Sequence, residues 1–200
     1  PEDETPAAVE MHITWSDGVH FEFTTGSGDD VLKSVLCRGD VALTSADGNV
    51  TCGLLDVHFA PDGSGSSAPS LAIATENVKA VSDQQILWAD RAQVTFKQGA
   101  GDDDPLGGDL QADRMSAEGD VQVLLADGGR AFCDTLDGDA GQEEAELRGN
   151  ILIAYERLLL DRGDEAVLIL HRSEGRGDWT GPGQARFLAD PIEVGSEGRI

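Results

Sequence analysis

A strand-like stretch with a glycine near its centre occurs three times in this chain. The three stretches are VLCRGDVAL (35–43), MSAEGDVQV (115–123) and AELRGNILI (145–153). In each of them, apolar or small residues alternate with other residues, as in a strand that buries one face. A glycine on the inward register of such a strand marks a bend or a close approach of another backbone. We therefore predict that Gly39, Gly119 and Gly149 lie on a crease where a sheet folds over on itself.

The stretch ILWADRAQVTFK (86–97) shows the same alternation without a glycine. Its apolar register consists of Ile86, Trp88, Ala92, Val94 and Phe96. Only Asp90 interrupts this register, and the spacings of three and four that a helix needs are missing. We predict a strand whose buried face carries these five residues.

Each glycine-centred strand belongs to a longer unit of strand, turn and strand. An aspartate recurs on the return strand of four such units: Asp56, Asp90, Asp134 and Asp161. An unpaired buried carboxylate is unfavourable, so we expect the strand to bend there and the aspartate to cap turn amides. Imperfect repeats of this kind indicate stacked hairpin-like units that share one core. Two stretches rich in Gly, Ser, Asp and Pro, 61–70 and 98–109, are predicted to be mobile loops.

The cadence of these units resembles the OstA-like domain of the lipopolysaccharide-transport proteins LptA and LptC. The segments that carry the resemblance are 37–59, 75–96, 117–136, 147–170 and GDWTGPGQARFLADP (177–191). The resemblance implies an all-β fold, a folded-over antiparallel sheet called a β-taco or β-jellyroll. We expect residues 1–200 to form one such domain, and the start at Pro1 leads us to expect a fragment of a longer cell-envelope protein.

The resemblance further implies a function without catalysis. In that family the two walls of the sheet enclose an apolar groove for acyl chains, and domains stack end to end across the periplasm by edge-strand pairing. The expected partners are therefore a lipid or lipopolysaccharide-like amphiphile and neighbouring β-domains, in the periplasm of a Gram-negative-type bacterium. The apolar registers supply the groove candidates, which line either an open groove or a filled core. These candidates are Val41, Leu43, Ile86, Trp88, Val94, Phe96, Val121, Val123, Ile151 and Ile153.

The charge of the chain restricts its partners. With 38 acidic and 14 basic residues among 200, the net charge is -24. Such a surface repels nucleic-acid phosphates, so we expect no nucleic-acid partner. The same charge opposes the phosphates of a lipid A headgroup, whereas an uncharged apolar chain is unaffected by it.

Motifs for catalysis or cofactors are missing from the sequence. The four histidines have no HxH, HxxxH or HExxH spacing, and neither a GxSxG elbow in a strand–helix context nor a P-loop occurs. The three cysteines, Cys37, Cys52 and Cys133, include no CxxC pair, so zinc is not indicated. We expect them to be small core residues, with a Cys37–Cys52 disulfide as the alternative. Neither enzyme activity nor a cofactor is therefore predicted.

Two other functions remain consistent with the sequence. Asp102, Asp103 and Asp104 carry hard oxygen ligands of the kind calcium prefers, although the EF-hand pattern is not met. The first alternative is therefore a structural or adhesive repeat domain, stabilised by calcium and without a lipid ligand. The second is an acidic β-sandwich that binds carbohydrate, for which only Trp15, Trp88 and Trp179 supply indole rings.

Overall fold

In the computed structural model, all of the regular structure that is described is β-strand. The structure describes residues 11–24, 30–45, 48–61, 67–98, 110–163 and 165–188. The strands are β1 (His12–Thr14), β2 (Gly18–Thr24), β3 (Val31–Ser45), β4 (Gly48–Pro61), β5 (Ser67–Val81), β6 (Gln85–Gln98), β7 (Leu110–Leu125), β8 (Arg130–Asp139), β9 (Glu144–Arg148), β10 (Ile151–Tyr155), β11 (Leu158–Gly163), β12 (Val167–His171), β13 (Arg176–Thr180) and β14 (Gln184–Phe187).

The described strands form one antiparallel sheet, and its two ends are not paired with each other within the described residues. From β3 to β8 each strand pairs with its neighbour in sequence. At each end of the sheet the pairing divides: β1 and β2 both pair with β3, whereas β10 and β9 both pair with β8. The path then continues through β11 to β14 on one side and through β12 to β13 on the other.

A row of bulges runs across the sheet and divides it in two. Pairing shifts register after Arg38 in β3, Thr75 in β5 and Glu118 in β7. The two residues that follow each shift have positive φ, as do the two between β9 and β10. These pairs are Gly39–Asp40, Glu76–Asn77, Gly119–Asp120 and Gly149–Asn150. Because bulges bend a strand and increase its twist, their alignment gives the sheet a continuous crease.

The crease separates two walls, which are named here by their segments. Wall A comprises β1, β10, β11, β14 and residues 41–45, 48–52, 78–81, 85–89, 121–125 and 130–133. Wall B comprises β2, β9, β12, β13 and residues 31–38, 54–61, 67–75, 91–98, 110–118 and 135–139. The described structure is thus an all-β, folded-over antiparallel sheet, which confirms the predicted fold class.

Both walls contribute to the core. A first cluster, around β3 to β5, contains Cys37, Leu55, Val57 and Ala74 of wall B and Val41, Cys52 and Val78 of wall A. A second cluster, around β6 to β12, includes Val121, Cys133 and Ile151 of wall A together with Ala117, Leu136 and Leu147 of wall B. Since each cluster draws on both walls, the inner faces of the walls pack against each other.

The spacing of inward residues alternates from strand to strand at the crease. In β7 the inward residues Ala117 and Val121 are four apart, with the bulge between them. In β8 the inward residues Cys133 and Leu136 are only three apart. A step of four keeps the even or odd register of a strand, whereas a step of three reverses it. The strands without a positive-φ bulge therefore change which register faces inward.

Each bulge packs a glycine against an acidic side chain on the neighbouring chain segment. A Cβ at Gly119 would lie 2.8 Å from Cβ and Cγ of Asp90, an exposed residue, so Gly119 faces the outside of the crease. The same acid–glycine contact occurs in Asp17–Gly39, Glu76–Gly53 and Asp134–Gly149. The predicted position of the crease agrees with this row. The prediction that its glycines point inward is wrong, because the bulge turns them away from the core.

The recurring aspartates divide into two groups. Asp90 and Asp134 lie at the crease, and the Asp134 carboxylate accepts hydrogen bonds from Asn150 Nδ2 at 3.0 and 2.9 Å. Asp56 instead lies 3.1 Å from His58 Nε2 within wall B, and Asp161 accepts from Arg186 Nη2 at 2.8 Å on wall A. The expectation of an aspartate at a bend therefore agrees with Asp90 and Asp134 at the crease and with Asp161, which lies at the register shift between β10 and β11. It fails for Asp56, which is regularly paired on both sides.

The predicted loops are shorter than expected where the structure describes them. Pro61 ends β4 and Ser67 begins β5, so residues 67–70 are strand rather than loop, and 62–66 lie outside the described residues. Gln98 ends β6, and the rest of the second predicted loop, 99–109, also lies outside them.

Candidate ligand-binding groove

An apolar cavity of about 740 Å³ lies between the two walls, open to solvent on one side. Wall A contributes Leu87, Val123, Leu125 and Ala131 to its lining. Wall B contributes Met115, Leu136, Gly138, Ala145, Leu147 and Leu170. Its volume falls in the range of small-molecule sites, about 300–1,000 Å³. The geometry is that of a groove that could take an apolar chain from solvent and hold it between the walls.

The open side of this groove, its mouth, is polar. The polar residues of the lining are Gln85 on wall A and Arg114, Asp139, Glu143, Glu144 and Arg172 on wall B. Of these, Arg114, Asp139 and Glu144 also line a second concavity, on the outer face of wall B. The guanidinium of Arg114 lies 3.6 Å from the carboxylate of Asp139. Glu144 Oε1 lies 2.8 Å from His171 Nδ1. An amphiphile with its chain in the groove would therefore place its headgroup among charged side chains.

The predicted groove candidates are distributed over the whole sheet, and Val123 is the one that lines the cavity. Val41, Val121 and Ile151 are each 1% exposed and belong to the packed core at the crease. Leu43 packs against the first cluster and Ile153 against the second. Val94 and Phe96 are half-buried and share a face of β6 with Ala92, which packs on the first cluster.

Two of the candidates, Ile86 and Trp88, lie on the wrong face. The buried residues of this part of β6 are Leu87, 3% exposed, and Ala89, 7% exposed. Because neighbouring strand residues point to opposite faces, Ile86 and Trp88 lie on the outside of wall A. There the Lys79 ammonium is 5.8 Å from the centroid of the Trp88 ring, as in a cation–π contact. The three-residue step from Ala89 to Ala92 reverses the register at Asp90, so the register of Val94 and Phe96 cannot be extended back to Ile86.

Several residues that line the groove were not among the candidates predicted from the sequence. Leu136 comes three residues after Cys133, so a strict alternation through Asp134 assigns it to the outer face. Leu147 appears in the alternating register of Ile151, and that periodicity could have identified it. Leu170 and Ala131 are placed in the groove by strand pairing, since they lie beside Ala145 and Val123.

A second, polar concavity of about 510 Å³ lies mainly on the outer face of wall B. Its floor is a set of hydrogen-bonding side chains on adjacent strands: Gln93, Thr95, Ser116, Asp137, Glu144 and Glu146. Among the residues that the structure describes, no aromatic ring lines this concavity, so it lacks the stacking surface on which the carbohydrate alternative depends.

The three cysteines are free and buried in the core. Burial raises the pKa of the Cys52 thiol to about 11 and that of Cys133 to about 12, and it also raises the pKa of Cys37. A buried thiol with a raised pKa is a poor nucleophile and a poor metal ligand at neutral pH. The expectation of small core residues is confirmed, and the Cys37–Cys52 disulfide is not formed.

Within the described ranges, no group of three or more His, Cys, Asp or Glu side chains is arranged to hold a metal ion. The calcium candidates Asp102, Asp103 and Asp104 lie outside those ranges. The same ranges contain no helix that could cross a membrane.

Comparison with known proteins gives a likeness in structure alone. No protein-family model matches the chain, and neither does any curated protein. Among solved structures, the chain is similar to the crystal structure of LptH, the LptA homologous periplasmic component of the conserved lipopolysaccharide transport device from Pseudomonas aeruginosa. The two chains are 8% identical, the match covers 91% of this chain and 96% of LptH, and the TM-score is 0.33.

Proposed function

We propose that this chain is a non-enzymatic, periplasmic scaffold domain that holds the acyl chain of an amphiphile between its two walls. The observation that carries the proposal is the apolar cavity of about 740 Å³, which the inner faces of both walls line. Each CH₂ group that moves from water into such a site contributes about 0.8 kcal/mol. Binding is passive, and its driving force is the burial of the chain.

Edge strands supply the second part of the proposal. The described sheet ends in β1 and β2 at one side and in β13 and β14 at the other, and open edges pair with strands of other domains. Exposed aromatic side chains accompany both ends: Phe21 and Phe23 on β2, and Phe187 on β14. We propose that neighbouring β-domains, including further copies of this one, dock at these edges.

A binding experiment with paired variants tests the groove. The purified chain is titrated with a fluorescent long-chain fatty acid, and unlabelled fatty acid is used as competitor. Leu170 lines the groove, whereas Ile169 is equally half-buried on the opposite face of the same strand. Leu170→Asp should weaken binding at least about tenfold, since a carboxylate in an apolar site is unfavourable. Ile169→Asp is the matched control and should bind as the unmodified chain does.

A filling variant checks the same groove from the other wall. Ala131→Trp places a large ring in the cavity without adding charge, and Phe132→Trp makes a smaller change on the outer face. Loss of binding in the first and not in the second is expected, with thermal melts to verify folding. Unmodified protein that neither binds the probe nor carries lipid in native mass spectrometry after extraction from cells would refute the carrier function and favour a purely structural domain.

A further inference from the structure

Among the described residues, two arginines line the mouth of the groove, and they differ in their partners. Arg114 has the carboxylate of Asp139 at 3.6 Å. Arg172 has no carboxylate partner in the described part of the chain. Its guanidinium Nη2 donates to the amide oxygen Oε1 of Gln84 at 3.4 Å, a long hydrogen bond to a neutral acceptor. Within the described ranges, Arg172 is therefore the arginine at the mouth that has no carboxylate paired with its charge.

The contact between Arg172 and Gln84 spans the mouth. Arg172 directly follows β12 at the tip of wall B, where its backbone N–H donates to the carbonyl of Glu143 at 2.9 Å. Gln84 lies in the turn between β5 and β6 at the tip of wall A, where its carbonyl accepts from the N–H of Ala126 at 2.9 Å. Both side chains thus stand on anchored backbone, and a headgroup emerging from the groove would pass between them.

We propose that Arg172 recognises a single anionic headgroup on the amphiphile whose chain the groove holds, an inference that rests on the proposed function. A guanidinium binds a carboxylate or phosphate through two parallel, charge-assisted hydrogen bonds, which are stronger than a bond to a neutral amide. The headgroup oxygens replace Gln84 as the acceptor, and the chain lies along Leu87, Val123 and Leu170.

The neighbouring charges limit the headgroup to low charge. Three carboxylates, those of Asp139, Glu143 and Glu144, also line the cavity. Asp139 is already paired with Arg114, and Glu144 contacts His171. With a net charge of -24 on the whole chain, each further negative charge on a ligand adds repulsion. The site therefore selects a singly charged amphiphile over a multiply phosphorylated one.

The test compares three ligands that share one chain: decanoate, decyl phosphate and the neutral decanol. Their affinities are measured at pH 7.5 by displacement of an apolar fluorescent probe from the full chain. Arg172→Gln should weaken decanoate at least about tenfold, the loss expected for a charge-assisted hydrogen bond. Decanol should change less than about twofold. Decyl phosphate should bind more weakly than decanoate and should also lose affinity in Arg172→Gln.

Two further variants separate recognition from a structural role. Gln84→Ala removes the contact across the mouth but leaves the guanidinium, so it should keep or strengthen decanoate binding. Arg130→Gln makes the same charge change at an exposed position outside the groove lining and should have no effect. Equal weakening of all three ligands in Arg172→Gln, or the same effect from Gln84→Ala, would show that Arg172 only holds the walls together and would overturn the proposal. If decanol and decanoate both fail to bind the unmodified chain, the proposed groove function is wrong, and the proposed headgroup site is then refuted as well.

Discussion

The contact between Asp90 and Gly119 shows how single residues set the crease. Gly119 has a φ of 79°, in the left-handed region, and the space where its Cβ would stand belongs to Asp90. The contact between Gly53 and Glu76 is reversed, because there the acidic residue lies in the bulge and the glycine on the partner strand. The requirement at each point of the crease is therefore one small and one acidic residue in contact, on either strand.

Alanine substitutions at two glycines, one in the crease and one outside it, test the need for a small residue beside the acidic one. Gly119→Ala should destabilise the chain by about 1–2 kcal/mol from its positive φ and by a further 1–3 kcal/mol or so from the clash with Asp90. Gly128 has a φ of 90°, and no described atom lies within 4 Å of the point that a Cβ would occupy there. It is therefore the matched control and should show the first contribution alone. The free energy of unfolding in urea measures both, and Gly119→Val should be worse than either.

A second substitution distinguishes the clash from backbone strain. Asp90→Gly in the Gly119→Ala background should recover the part of the loss that comes from crowding. Equal tolerance at Gly119 and Gly128, or no recovery in the double variant, would contradict the acid–glycine contact.

At the scale of an element, β6 shows how one strand presents two registers. Leu87 and Ala89 face inward before Asp90, and Ala92 packs against the core after it. Its neighbour β7 holds the extra residue of the bulge and keeps its register from Ala117 to Val121. Alternation therefore predicts the inner face of β7 correctly on both sides of Gly119, whereas it predicts the wrong face for the half of β6 that precedes Asp90.

Alanine substitutions at adjacent positions test the register of β6. Leu87→Ala removes a buried side chain and should destabilise by about 2–5 kcal/mol. Ile86→Ala, on the outer face, should cost about 1 kcal/mol. Denaturant unfolding of both variants gives the two values. A larger loss at Ile86 than at Leu87 would restore the register that simple alternation predicts and would contradict the structure.

For the whole molecule, the open sheet has consequences that a closed barrel avoids. Its two ends leave strand edges without partners in the described chain, and the charge of -24 opposes the approach of a second copy. Salt screens that repulsion over a Debye length of about 10 Å at 0.1 M and about 3 Å at 1 M. Edge pairing should therefore depend strongly on ionic strength.

Association at high salt tests the proposed edges. Light scattering should show a molar mass that rises as NaCl is increased from about 0.05 to about 1 M, because the added salt screens the repulsion between the negatively charged chains. Phe187→Glu, at an edge residue that is 77% exposed, should reduce the rise. Tyr155→Glu adds the same charge at an exposed aromatic residue on β10, which has partners on both sides, and should behave as the unmodified chain. A strict monomer at 1 M salt would contradict edge pairing.

The sequence by itself determined the fold class, the strands and the position of the crease, because alternation and the glycine-centred bulges are local properties of the chain. It also placed Val41, Val121 and Ile151 on the inward register, which a four-residue step preserves, but it left open whether they line a groove or belong to the packed core. Only the tertiary structure decided that Ile86 and Trp88 face outward and that Leu87, Leu136 and Leu170 line a cavity. The register reverses where a strand without a bulge pairs with one that has it, and the open groove depends on how far apart the walls stand. Both depend on contacts between segments distant in sequence, as does the meeting of Arg172 with Gln84 across the mouth.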